Sequence, residues 1–167
     1  MAGRFFTNLG SVFVGLVAYR ASPDRFWNSV AFMNFIDWSV GATVKNRPSA
    51  DLLTRSGANF RERLNAIAPD RVIVFSSLSW RYLPPFDSVS APDGFTFDPR
   101  QPEIAWCGGY RLANGQTAWT MFAQHPSSRG WKPGQWRSLV ASFLATPFPS
   151  PPTQPEPPAE EIPARDN

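Results

Sequence analysis

A single histidine, His125, closes the apolar run "TAWTMFA" and opens the polar stretch "HPSSRGW". A neutral imidazole there can donate a hydrogen bond to a carbonyl oxygen or to a developing oxyanion. Ser127 and Ser128 add hydroxyls that both donate and accept, and Arg129 adds a planar fork suited to phosphate. A second polar group, Asn34, interrupts the apolar stretch "VAFMNFIDW" between Phe32 and Phe35. Its amide presents a donor and an acceptor together, the pattern needed to read a pyrimidine edge. Buried in such a run, that amide costs a few kcal/mol unless a ligand or a neighbouring loop satisfies it.

Other chemistry is poorly supplied. Cys107 stands alone, so no internal disulfide forms, and there is no Cys/His cluster for a metal and no cofactor motif. A lone thiol with no neighbouring base reads as a small buried hydrophobe, and its isolation fits a reducing, cytoplasmic setting. "WCGGY" lacks the Lys-Ser/Thr and the following helix of a phosphate loop. Trp80, Trp106 and Trp119 read as core aromatics, whereas Trp131 and Trp136 flank the His125 loop.

The elements that must position these groups follow from pattern. "RPSADLLTRSGANFRERLNAIAPD" has an N-cap at Ser49, apolar positions at Leu53, Phe60, Leu64 and Ile67, and a stop at Pro69, which predicts a long amphipathic helix. "RVIVFSS" is a continuous apolar run of the kind found in strands covered on both faces. "SLSWRYLPP" predicts a short helix ended by Pro84, and residues 86–102 a long loop. Two strand-like runs flank Asn114-Gly115, a hairpin signal. Pro133 opens a final helix with Trp136, Leu139, Val140 and Phe143 on one face. Alternating strands and helices predict an α/β fold, in which sites form beyond the carboxyl ends of strands, where "HPSSRGW" lies.

Charge points to a partner. Residues 1–146 carry a net +6, with arginine outnumbering lysine fourteen to two over the whole chain. This bias suits weak, salt-dependent contact with DNA phosphates. Residues 147–167 hold eight prolines, four acids and one arginine, a composition that predicts a disordered acidic tail. The longest apolar stretch near the N-terminus, "SVFVGLVAY", is far shorter than the roughly 20 residues of a membrane span.

The order of these pieces, an Asn-bearing run, an amphipathic helix, "PDRVIVFS" and then "HPSS", resembles the uracil-DNA glycosylase superfamily, in particular its glycosylase-like branch, over residues 25–144. The resemblance implies a three-layer αβα sandwich with a short central, mainly parallel sheet in residues 1–146. It implies recognition of a DNA base, with excision of uracil or a damaged base by N-glycosidic hydrolysis. Asn34 would read the uracil edge with Phe35 beside it, and His125 would stabilise the leaving base anion. Ser127, Ser128 and Arg129 would press on the groove to help expel the base. The alternative is a catalytically inactive module of the same type that binds DNA or protein.

The chain departs from that pattern at its start. The superfamily's first strand leads into a Gly-x-Asp/Asn-Pro loop whose polar residue positions the attacking water. Two readings of "RFFTNLGSVFVGLVAY" stand. It is a helix, with the expectation of a domain truncated at its N-terminus, or "VFVGLVAY" is the strand with Val17 where the carboxylate belongs. Asp24 and Asp37 are the nearest carboxylates in sequence, and Asp24 reads as the cap of a helix starting near Arg25.

Overall fold

A computed structural model describes residues 4–36, 48–87, 95–96 and 105–148. Among the described residues, six helices and four strands follow one another as α1 (Arg4–Phe13), α2 (Val17–Ala21), α3 (Pro23–Asn28), α4 (Ala50–Ile67), β1 (Arg71–Phe75), α5 (Ser77–Arg81), β2 (Phe95–Thr96), β3 (Ala105–Arg111), β4 (Thr117–Ala123) and α6 (Pro133–Ala145). The architecture is α/β. The sheet order is β1-β4-β3-β2. β1 runs parallel to β4 with Arg71 opposite Trp119, β2 runs parallel to β3, and β3 pairs antiparallel with β4. The sheet is therefore mixed, because the Asn114-Gly115 hairpin forces its two longest strands to run in opposite directions.

Local signals account for most boundaries. The Ser49 hydroxyl accepts from the Leu52 N–H at 3.2 Å and caps α4. At the other end Ala68 takes the left-handed conformation, φ 50°, and Pro69 prevents continuation. Pro133 starts α6. The β3–β4 turn closes through Leu112 and Gln116, with Gly115 at φ 82°, where a side chain would be strained.

Of the two readings of the N-terminal segment, the helical one holds: Phe5, Leu9, Val12 and Phe13 recur at helical spacing and face the core. Two expectations change. The cap of α3 is Ser22, whose hydroxyl accepts from the Arg25 N–H at 3.4 Å, while Asp24 lies within the first turn. The 86–102 loop contains the short strand β2, recruited by pairing with β3. Asp37, residues 41–47, the Trp106 side chain and the tail from residue 149 lie outside the described residues.

β4 is almost wholly buried, and its side chains alternate between two apolar clusters. Trp119, Met121 and Ala123 join Cys107 against α1 and α6, through Leu9, Val12, Val140 and Phe143. Ala118 joins Tyr110 against Phe60 and Leu64 of α4. Trp119 is 2% exposed, whereas Trp80 is half-buried between Phe86 and Phe122. Arg71 ties the far end of the sheet to α6: one guanidinium nitrogen donates to the Thr146 carbonyl at 2.9 Å, and the group lies 4.5 Å from the Phe148 ring centre. No helix among the described residues is long and apolar enough to cross a membrane.

Gly57, on the buried side of α4, lies close against the residues that follow α5. A Cβ there would sit 2.5 Å from the Tyr82 carbonyl oxygen, a backbone atom that cannot rotate away. Gly57→Ala should therefore destabilise the fold by about 1–3 kcal/mol, although alanine favours helix, because the overlap outweighs propensity. Urea unfolding measures it; an unchanged or raised midpoint would contradict this packing.

Candidate functional site

Because β4 is buried up to Ala123, the first residues free of the core are Gln124 and His125. The loop that follows is held by its own backbone. The Ser128 N–H and hydroxyl both donate to the His125 carbonyl, at 2.9 and 2.7 Å, and Asn8 of α1 donates to the Pro126 carbonyl at 2.8 Å. Gly130 supplies a left-handed turn at φ 84°. Trp131 then stacks on Trp136, ring centres 6.1 Å apart and planes within 7°, which anchors the loop to α6.

These contacts define the chemistry of the imidazole. The Ser127 N–H donates to His125 Nδ1 at 3.2 Å. An accepting Nδ1 carries no proton, so a neutral ring holds its proton on Nε2, which has no partner among the described residues. Partial burial of the ring, with Phe5 of α1 5.2 Å away, lowers the His125 pKa below the ordinary imidazole value. The site therefore presents a neutral N–H donor at the end of a buried strand.

The aromatic surroundings of His125 form a group that pattern reading missed. Phe5 contacts Phe6, Phe32 and His125, and Phe6 contacts Phe32, all with centroid separations of 5.2–5.6 Å. Phe5 belongs to the core stripe of α1. Phe6 falls off that stripe, and this was the available signal: Phe6 is 45% exposed and Phe32 is 52% exposed.

The second predicted recognition residue lies elsewhere. Asn34 sits in an irregular segment, not at a strand end, and it is exposed rather than buried. Its backbone carbonyl accepts from Arg63 of α4 at 3.3 Å, and Phe35 packs on Phe60, 6.1 Å between ring centres. Segment 30–36 thus passes from the α1 side at Phe32 to the α4 side at Phe35. His125 contacts Phe5, which in turn contacts Phe6 and Phe32, whereas the contact of Asn34 is with Arg63 of α4. Ser127 and Arg129 are exposed on the loop, while Ser128 is committed to holding it.

No described carboxylate accompanies His125. Asp24 lies on α3, whose Phe26 packs on Phe13 near the far end of α1, about 12 Å along the helix from Phe5. On the α4 side, Asp87 accepts two hydrogen bonds from Arg61, at 2.8 and 2.5 Å, and one from the Arg111 N–H at 2.6 Å. Partial burial pushes the Asp87 carboxyl up, but these partners outweigh it and hold its pKa below the ordinary value. This pair borders a cleft of about 620 Å³ with Asn65 and Leu112, and an adjoining cleft of about 390 Å³ is lined by Thr54, Gly57 and Tyr82. Neither cleft is lined by His125 or Asn34. Cys107 is fully buried, and burial pushes its thiol up to about 12, which makes it inert as a nucleophile. No group of three or more potential metal ligands occurs among the described residues.

The lowered pKa of His125 has a thermodynamic consequence. Between its folded value and the ordinary one near 6.5 the folded state binds fewer protons than the unfolded chain. Stability present above that ordinary value is lost as pH falls through the folded pKa. His125 is the only histidine, so no other side chain with an ordinary pKa titrates between about pH 7 and about pH 5. The melting temperature should fall over that interval, and His125→Ala should flatten the fall. Parallel pH profiles for the two proteins would contradict the assignment.

In comparisons with family models, curated proteins and solved structures, nothing matches this chain, so its function rests on the chemistry of these residues.

Proposed function

We propose that this chain is a glycosylase-like DNA-binding module that contacts a base through His125 and does not hydrolyse it efficiently. The observation that carries the reading is the geometry at the end of β4, where the Ser127 N–H holds Nδ1 and leaves an Nε2 donor for a base carbonyl. The helices packed against the two faces of the sheet, and the parallel pairing of β1 with β4, support a three-layer αβα sandwich of the uracil-DNA glycosylase type. The "HPSSRGW" loop at a strand's carboxyl end occupies the position where α/β sheets bind ligands.

Within this reading the loop residues divide the work. Ser127 and Arg129 offer an exposed hydroxyl and guanidinium to phosphate, and Ser128 keeps the His125 carbonyl and the loop in place. Asn34 reads its base edge only if the segment beyond Phe32 turns toward the bound nucleotide. That turn would have to release Phe35 from Phe60. Hydrolysis needs a group that orients water, and no described carboxylate stands beside His125. Losing such a group removes orders of magnitude in rate, which favours recognition over cleavage.

Affinity for a short oligonucleotide should fall with salt. Two phosphate contacts, by Arg129 and Lys132, would lose about tenfold between about 50 and about 200 mM salt. His125→Ala should weaken binding at every salt concentration without changing that slope. Release of free uracil from a uracil-containing strand should be undetectable. A flat salt response, or no binding at low salt, would remove the DNA reading. Robust uracil release indifferent to His125→Ala would remove the assigned role of the imidazole.

A further inference from the structure

We propose that Phe6 and Phe32 form a stacking platform for unpaired bases, so that the protein binds single-stranded DNA in preference to duplex. This inference rests on the base-contact reading of His125 and deepens it by naming the form of nucleic acid. Large aromatic side chains ordinarily bury most of their area, because each contributes about 150–250 Å² of apolar surface. Here two phenylalanines in mutual contact remain about half exposed at 45% and 52%. Phe5 supports both from beneath and touches the imidazole as well. Two open aromatic rings and a neutral N–H donor are thus joined through the single ring of Phe5, which suits a base that stacks through its π-face and is held at its edge.

Charge selects the occupant. The segments that build this face, 5–6, 30–32 and 124–132, contain no Asp or Glu and include Arg129 and Lys132. A polyanion is attracted to such a surface. Within a duplex the faces of the bases are already stacked, so open rings gain nothing there. An unpaired strand offers each base to a ring at little cost, and stacking tolerates sequence because every base has a π-face.

The test compares oligothymidine, the same strand annealed to its complement, and anionic lipid vesicles, all at low salt with the full chain. The single strand should bind on the order of tenfold more tightly than the duplex. Phe6→Ala and Phe32→Ala should each remove most of that difference. Phe32→Leu, which keeps apolar bulk but loses the ring, should behave like Phe32→Ala, whereas Phe32→Trp should retain the preference. Since both rings are exposed, melting temperatures of these variants should stay close to that of the parent. Equal affinity for strand and duplex would overturn the platform while leaving the base-contact reading intact. Absence of binding to either nucleic acid would overturn both. Capture of vesicles through Phe6 and Phe32, without oligonucleotide binding, would overturn the platform in favour of a lipid interface.

Discussion

Burial of β4 on both faces is the constraint from which the remaining packing follows. A strand removed from water must pair its N–H and C=O groups with other backbone, and β1 and β3 do so on either side. Its side chains must be covered in two directions, which α1 and α6 provide on one face and α4 on the other. Thr120, fully buried at its centre, keeps its hydroxyl within 3.4 Å of the Ala118 carbonyl, so even the polar residue of the strand has an internal acceptor. Arg71, Gly57 and the Arg61–Asp87 pair are the devices by which surrounding elements are drawn onto this strand or its neighbours.

The same constraint places the candidate site. Where β4 leaves the core, its carboxyl end meets the first turn of α1, and the chain needs a turn whose backbone groups are satisfied locally. Ser127 and Ser128 provide this, and in doing so they fix the state of the imidazole. A protonated His125 could not accept from the Ser127 N–H, so that one hydrogen bond of the loop depends on a neutral histidine. The exposed rings of Phe6 and Phe32 run against the tendency of a sequence to bury its large apolar groups. Local exceptions of this kind are expected where a surface has a function.

Legibility in the sequence followed the strength of local chemistry. α4 could be read at both ends because Ser49 and Pro69 are strong signals, α6 because Pro133 opens it, and the hairpin because of Asn114-Gly115. The first helix stayed undecided because "VFVGLVAY" is apolar at nearly every position, so the run alone fits either period. The stripe of Phe5, Leu9, Val12 and Phe13 separates the alternatives once its partner α6 is known. Ser22 and Asp24, two residues apart, satisfy the same capping preference, so the sequence alone does not choose between them. Asn34 was misjudged because an apolar neighbourhood was equated with burial, whereas segment 30–36 keeps Phe32 and Asn34 exposed while crossing toward α4. Tertiary placement of that kind carries no periodic signature. His125 was legible because a lone imidazole at a strand end is chemically conspicuous, but its tautomer was not, since it depends on the backbone of Ser127.

The central claim is that this imidazole is neutral at physiological pH with its proton on Nε2 and its Nδ1 held by the Ser127 N–H. Long-range proton–nitrogen NMR of uniformly labelled protein tests it directly, because the chain contains one histidine and the spectrum therefore contains one imidazole. The Nε2–H tautomer at neutral pH, with a titration midpoint below the ordinary imidazole value, is the predicted result. An Nδ1–H tautomer, or a ring already protonated at neutral pH, would contradict the account.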